Sequence, residues 1–289
     1  MADSASMSPV SRGRKKESKN HRGREYEPAE PAEEQLGPDH PVVREMLDNV
    51  VATLDDFEPV DDPVDGEYLA ASLLAIGYGT GAEAADAFAQ LFIAEAEEHG
   101  TPGALAFLLS VAALTSGQTR SLAVAAADRL AAAGVVAPPW VAELGEPTTA
   151  GEYFRWSEGD GVGAVLYGSF HRAGRTDGFL LFVDEEDCGS ANDLAPFVSA
   201  EALEEARRMT NEEESAPEAP IAADEFRWRV EAALGVRESH DREVIELGIE
   251  PEQPEGDDIP YEVTDVVLRA RLRALPMSAK PLPAHVHPA

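Results

Sequence analysis

The sequence of 289 residues contains a single cysteine, Cys188. One cysteine cannot form an intrachain disulfide, and it excludes a zinc site built from several cysteines. The absence of disulfides is typical of proteins in a reducing cytosol. We therefore expect a cytoplasmic protein whose fold depends on its hydrophobic core.

The sequence also lacks a long apolar run. The longest run spans residues 104–114, contains Ser110, and is too short to cross a bilayer. The basic N-terminus is followed by Glu- and Pro-rich sequence, without the apolar stretch of a signal peptide. We expect no membrane contact, although 44% of the residues are hydrophobic and can form a core.

Positive charge is scarce outside a short N-terminal tail. The chain has 23 Lys and Arg residues against 55 Asp and Glu residues, and residues 26–289 hold 16 basic and 52 acidic residues. A body this acidic cannot hold a nucleic acid or a lipid surface by general attraction. An anionic partner would therefore be contacted by the tail residues Arg12, Arg14, Lys15, Lys16, Lys19, Arg22 and Arg24.

This basic tail has three interpretations. It could anchor the protein to nucleic acid, dock on an acidic partner, or remain an unstructured end that folds back loosely on the acidic body. No aromatic residue is interleaved among its charges, so base stacking is not indicated. Residues 1–36 as a whole predict a disordered tail that is first basic and then acidic.

Residues 37–150 predict an Ala-rich helical domain. Thr80 with Glu83 forms a capping box at the start of one helix, and Gly100 is placed to end it. Thr101–Pro102 supplies the N-cap and first residue of the next helix. Short connections favour antiparallel neighbours, as in a bundle. The predicted helices lie near 39–57, 67–76, 82–99, 102–114 and 119–133.

Residues 151–210 predict a small antiparallel β-meander with a covering helix near 200–209. Alternation places Val165 and Tyr167 on one face of the second strand and Leu166 on the other. The third strand is apolar on both faces, which predicts that it is central. The strand-like runs are 152–157, 162–171 and 178–184.

The remaining chain is divided by acidic, Pro-containing sequence. Residues 211–222 predict an acidic linker, residues 223–275 a C-terminal helical segment, and residues 276–289 a Pro-rich loose tail. The segment's predicted helices lie near 225–234, 241–247 and 263–275. Together these patterns predict an α+β protein, in which an Ala-rich helical bundle precedes a small antiparallel β-meander with a covering helix and a helical C-terminal segment.

The densest group of oxygen ligands is Asp184–Asp187. Read as a calcium loop, the segment places Cys188 at the fifth position and Ala195 at the twelfth, where a bidentate Glu is required. The group therefore predicts a solvated loop. His285 and His287 lie two apart in the C-terminal tail, which offers too few further ligands for an ordered metal site. We expect no metal and no cofactor.

Two residue sets could carry chemistry. Cys188 and His171 both lie near strand ends and could form a thiol–imidazole pair, but no orienting Asn or Asp can be assigned to it. Asp184, Glu186 and His171 could serve as acid and base groups of a hydrolase-like site. Neither set forms a recognisable motif, so we expect no catalytic residue.

Three arginines, Arg269, Arg271 and Arg273, lie near one another on the last predicted helix. In so acidic a molecule they predict internal salt bridges. Arg269 and Arg273, four residues apart, could instead receive an anionic partner.

The segment that follows Pro138–Trp140, GEYFRWSEGDGVGAVLYGSFHRAGRTDGFLLFVDEED, resembles part of uncharacterised bacterial proteins. These combine an Ala-rich helical region with a small β-meander module that ends in an apolar strand and acidic residues. The resemblance covers about residues 100–200. It implies this architecture, and it implies no catalytic or binding residue.

These observations favour a non-catalytic cytosolic interaction or regulatory protein with an unknown protein partner. One alternative is a nucleic-acid-associated protein tethered by the basic tail alone. A second alternative is a hydrolase-like enzyme whose site lies at the acidic end of the β-meander.

Overall fold

The computed structural model describes residues 41–157, 162–213, 218–248 and 259–285. They form an α+β protein in which N-terminal helices precede a five-stranded antiparallel sheet and three further helices, so the predicted fold class is confirmed. The predicted disordered tail of residues 1–36 lies outside the described residues. None of the described helices combines the length and apolar character that a membrane span requires.

Five helices form the N-terminal part. The fourth helix is the centre of this group, because nearly all of its side chains are buried. Leu105, Phe107 and Leu108 from this helix pack in one core with Val50 and Phe92 of its neighbours. The helices are α1 (Pro41–Leu54), α2 (Pro63–Leu74), α3 (Ala82–His99), α4 (Pro102–Leu114) and α5 (Gly117–Ala132).

Local cap chemistry sets several of these helix ends. The Thr101 hydroxyl accepts a hydrogen bond from Ala104 N at 3.2 Å, and Gly100 ends α3 with a φ of 67°, both as predicted. The predicted capping box at Thr80 is wrong. Gly81 occupies the N-cap with a φ of 89°, and the Thr80 hydroxyl donates instead to Gly77 O at 2.7 Å.

The sheet has the strand order β4-β3-β2-β1-β5 and is antiparallel throughout. The third strand, β3, is paired on both sides, with β2 and with β4, so it is an interior strand as predicted, one position from the middle strand β2. The edge strands β4 and β5 were not predicted from the sequence. The strands are β1 (Thr149–Ser157), β2 (Gly163–Arg172), β3 (Arg175–Asp184), β4 (Ser190–Phe197) and β5 (Ala219–Pro220).

Part of the predicted linker at 211–222 has regular structure. Helix α6 (Ala200–Glu213) extends into it, and the two residues of β5 pair with Phe154 and Arg155 of β1. The Ser199 hydroxyl accepts from Ala202 N at 3.2 Å at the start of α6. The covering helix is thus present and longer than predicted.

The two faces of the sheet meet different helices. Val165 and Tyr167 pack with Leu203 of α6, whereas Leu166 belongs to the core shared with the N-terminal helices and the helix Ala223–Glu246, here α7. The predicted alternation is confirmed. The helix Tyr261–Leu272, here α8, packs on the same shared core.

Helix α7 replaces the two separate helices predicted at 225–234 and 241–247. Its 24 residues continue through Gly235. Glycine inside a helix costs about 1 kcal/mol relative to alanine. Burial of Leu234 and Val236 on either side offsets that cost.

A buried ionic network joins the helices to the sheet. Glu67 of α2 accepts hydrogen bonds from Arg172 of β2 at 2.8 Å and from Arg271 of α8 at 3.0 Å. Arg271 Nε donates to Asp177 of β3 at 2.7 Å. All four side chains are buried. Two cations and two anions neutralise each other here, as predicted for Arg271.

Candidate functional site

An apolar groove runs between α4, α5 and the 3-10 helix Pro139–Gly145. It encloses about 530 Å³. Val124 on its wall is 37% exposed, a high value for an aliphatic side chain that faces other apolar groups. We call it the α4–α5 groove, and its apolar side chains belong to Leu109, Val124, Ala137, Pro138, Pro139, Val141 and Leu144.

Arg120 lines the α4–α5 groove, and Arg273 lies beside it at the carbonyl groups near the end of α4. Arg120 Nη1 donates a hydrogen bond to Ala112 O, and Arg273 Nη2 donates to the next carbonyl, Ala113 O, at 3.2 Å. Arg273 Nη1 also reaches Arg269 O at 3.4 Å. Desolvation and the nearby charge of Arg120 lower the pKa of Arg273. The two guanidinium groups are thus close enough to repel each other.

Neither arginine has a carboxylate within salt-bridge distance among the described residues. Arginines elsewhere in this part of the chain do contact carboxylates, as Arg129 does with Glu97 at 2.7 Å. Arg269 pairs with Asp265 at 2.8 Å and with Glu238 at 3.3 Å, so it is not available to an anionic partner. This removes Arg269 from the predicted anionic-partner pair, whereas Arg273 remains a candidate and has Arg120 as its neighbour.

The predicted hydrolase-like set is not brought together. His171 Nδ1 lies 2.9 Å from Thr176 Oγ1, beside the hairpin that joins β2 to β3. Asp184 pairs with Gly163 at the other end of the same ladder. Gly163 and His171 are eight residues apart along β2, or roughly 27 Å at the rise of a strand. Cys188 lies in the turn after Asp184, at the end of the sheet far from His171, so the two cannot form the predicted thiol–imidazole pair.

The acidic residues after β3 close a turn. Asp184 Oδ1 accepts hydrogen bonds from the backbone N atoms of Glu186 and Asp187, both at 2.9 Å. Cys188 follows with a φ of 60°, a left-handed conformation that non-glycine residues rarely adopt. This backbone conformation costs free energy, and it sets where the half-buried thiol lies.

Cys188 lies beside two histidines that the sequence does not place near it. One potential ligand atom each from Cys188, His240 and His285 lies within 4.8 Å of the others. The two imidazole rings meet edge to face, with centroids 4.8 Å apart. His240 Nδ1 lies 3.4 Å from Asp187 Oδ2. We call these three residues the Cys–His–His cluster.

The C-terminal residues reach the cluster because their segment packs alongside α7. Trp228 Nε1 donates to Pro281 O at 2.9 Å. Lys280 forms an ion pair with Glu225 and lies 5.0 Å from the centre of the Trp228 ring. The segment predicted as a loose tail thus lies along α7 as far as His285.

Sequence reasoning missed both sites for the same reason. Cys188, His240 and His285 are far apart in the sequence and form no motif. Only the fold brings them together. The α4–α5 groove likewise combines three elements. For the groove, the one signal in the sequence was the group of arginines on the last helix. The tail arginines and lysines between Arg12 and Arg24 lie outside the described residues.

No protein-family model matches the chain, and comparison with curated proteins and with solved structures finds no significant similarity.

Proposed function

We propose that this chain is a non-catalytic interaction or regulatory protein of the cytoplasm. Its partner presents a protein segment that combines apolar side chains with a carboxylate, and this segment binds in the α4–α5 groove. The proposal rests on Arg120, which lines the exposed apolar groove, and on the neighbouring Arg273, because neither has a carboxylate partner among the described residues.

Charge complementarity selects the occupant. The chain has a formal net charge of −32, so unneutralised positive charge is rare on its surface. A guanidinium group has five N–H donors, and a carboxylate can accept two of them at once. The backbone contacts of Arg120 and Arg273 use only some of these donors. A carboxylate would also reduce the repulsion between the two guanidinium groups.

The apolar walls select the rest of the segment. Amphipathic helices commonly bind in grooves of this kind through apolar side chains spaced three or four residues apart. Burying such side chains against Leu109, Val124 and Leu144 supplies the hydrophobic contribution to affinity. The arginines would fix the register and direction of the bound segment.

A purely structural role for the two arginines is the competing interpretation. Ala112 and Ala113 are near the C-terminus of α4, where carbonyl groups lack helical partners and cations are favourable. This role requires a single hydrogen bond from each arginine. It does not require the adjacent groove or the exposed wall at Val124.

A peptide selection on the full chain tests the proposal. Displayed random peptides would be selected, synthesised with a fluorescent label, and titrated against the wild type and against R120Q, R273Q and V124D. We expect the peptides to share apolar residues and at least one Asp or Glu. We expect each variant to weaken binding by about tenfold or more, because a charge-assisted hydrogen bond or an apolar contact is lost.

The matched control is R129Q, which lies on the same helix and removes an arginine already paired with Glu97. It should leave peptide affinity unchanged. Selection of peptides without acidic residues would contradict the proposal, as would equal affinity for the wild type and the three groove variants.

A further inference from the structure

We propose that the Cys–His–His cluster binds a zinc ion, with the Cys188 thiolate and the imidazoles of His240 and His285 as ligands. This site is independent of the α4–α5 groove and of the function proposed for it. The proposal rests on the convergence of three residues of types that zinc prefers, one from a turn, one from a helix and one from the C-terminal segment.

The donor set fits a borderline metal ion. Thiolate and imidazole are ligands for zinc, whereas calcium and magnesium prefer oxygen. On binding, the Cys188 thiol loses its proton to solvent and the sulfur forms a bond to zinc, while each histidine binds through a neutral ring nitrogen. A water molecule would complete a four-coordinate ion.

The spacing is close to what tetrahedral zinc requires. Zinc bonds of about 2.0–2.3 Å put ligand atoms roughly 3.3–3.8 Å apart. The three atoms of the cluster lie within 4.8 Å of one another, so they must approach by about 1 Å. Cys188 in a turn and His285 in a segment without helix or strand can make this adjustment by small backbone shifts.

Asp187 is placed to orient one ligand. Its Oδ2 lies 3.4 Å from His240 Nδ1, so Nε2 of the same ring is the atom that would bind the metal. Carboxylates commonly accept the second N–H of a zinc-bound histidine, fixing the ring and its tautomer. Asp187 is therefore a positioning residue for a histidine ligand. This role differs from that of a calcium ligand, which the sequence pattern of a calcium loop would require.

The surroundings favour a cation. The cleft beside Cys188 and His285 is lined by Glu185 and Glu186, and none of its lining residues is Lys or Arg. Arg155 lies 3.4 Å from Glu185 and offsets its charge, so Glu186 and Asp187 supply the negative field that stabilises a divalent cation. The His240 Nε2 and His285 Nδ1 atoms are shielded from solvent, which limits competition from water.

Cobalt(II) titration of the full chain, freed of metal and kept reduced, tests this proposal. Cobalt substitutes for zinc, and a thiolate ligand produces a charge-transfer band in the near ultraviolet. We expect one equivalent to bind with this band and with the strong visible bands of four-coordinate cobalt. Added zinc should displace the cobalt and abolish both.

Single-residue variants assign the ligands. C188S should lose the charge-transfer band, and H240Q and H285Q should each weaken binding by more than about tenfold, with D187N weakening it by about tenfold. H171Q is the matched control, because His171 is exposed and lies at the other end of the sheet. It should bind as the wild type does. Urea unfolding of each variant checks that the fold persists.

Three results would overturn the zinc site. One is a wild type without the charge-transfer band at one equivalent, and another is retention of that band in C188S. The third is wild-type affinity in H240Q or H285Q, which would remove that histidine from the ligand set.

Discussion

At the scale of single residues, the four charged side chains around Glu67 decide how the helices and the sheet are joined. Burial opposes the ionisation of Glu67, but the charges and hydrogen bonds of Arg271 and Arg172 outweigh it and lower the pKa of Glu67 to about 2. Glu67 is therefore ionised throughout the neutral range. A buried ion pair of this kind is costly to break, because removing one partner leaves an unpaired charge.

We expect E67Q to lower the free energy of unfolding at pH 7 by about 3–5 kcal/mol, measured by urea denaturation. The reason is that Arg172 and Arg271 lose their shared carboxylate while remaining buried. E143Q is the control, since Glu143 forms an exposed pair with Arg175 and its loss should have a far smaller effect.

The same variant yields a pH dependence. Because the folded pKa of Glu67 lies below its ordinary value of 4.5, its stabilising contribution is complete above that value and is lost as the pH falls toward 2. The difference in stability between the wild type and E67Q should therefore shrink by about 2 kcal/mol from pH 5 to pH 3. A difference that stays constant over this range would show that Glu67 is not held ionised by its neighbours.

At the scale of helices and strands, local signals predicted the fold well only where they were strong. Helices α3 and α4 have the predicted bounds because Gly100 and the Thr101–Pro102 pair mark their junction chemically. Strand β4 was missed because its Asn192, Asp193 and Pro196 are poor strand formers, and its pairing with β3 compensates for them. The stabilising contribution of a neighbouring strand is not visible in the composition of β4 itself.

The candidate sites follow the same rule. The sequence singled out Arg273 for an anionic partner and Cys188 for a pair with His171, and it judged His285 and His287 too few for a metal site. It could not pair Arg273 with Arg120, or bring His240 to Cys188, because the elements meet only through the shared core. Side chains from different elements can be recognised as one site only when the fold is known.

Two glycines test how tightly the helices pack. A Cβ at Gly103 would overlap Leu54 O at the end of α1 and lie 2.9 Å from Leu54 C, whereas a Cβ at Gly235 in α7 meets no heavy atom within 4 Å. We expect G103A to destabilise the fold by about 1–3 kcal/mol and G235A to stabilise it by about 0.5–1 kcal/mol. Urea denaturation of both variants measures this difference, and effects of the same sign would contradict the packing described for α1 and α4.

At the scale of the whole molecule, the charge distribution limits the partners. Residues 26–289 hold 52 acidic and 16 basic residues, and the structure engages many of the basic ones in internal ion pairs. Little positive charge remains for a broad polyanion surface. Arg120 and Arg273 have no carboxylate partner among the described residues, which distinguishes the α4–α5 groove from most of the surface.

Removal of residues 1–25 tests the alternative of nucleic-acid association. We expect the shortened chain to show no binding to labelled duplex DNA even at low salt, because a net negative body repels the phosphates. Any binding by the full chain should fall steeply as salt is added. DNA binding that survives removal of the tail would mean that the acidic body has a nucleic-acid surface after all.

The arginine pair is proposed to receive a carboxylate of a bound protein segment. A double-mutant cycle on a selected peptide tests this interaction, by combining R120Q in the protein with Glu→Gln in the peptide and determining the four affinities. We predict a coupling energy of about 1 kcal/mol or more, because each change removes the same interaction. Strictly additive effects at every acidic position of the peptide would show that Arg120 does not contact a carboxylate of the segment.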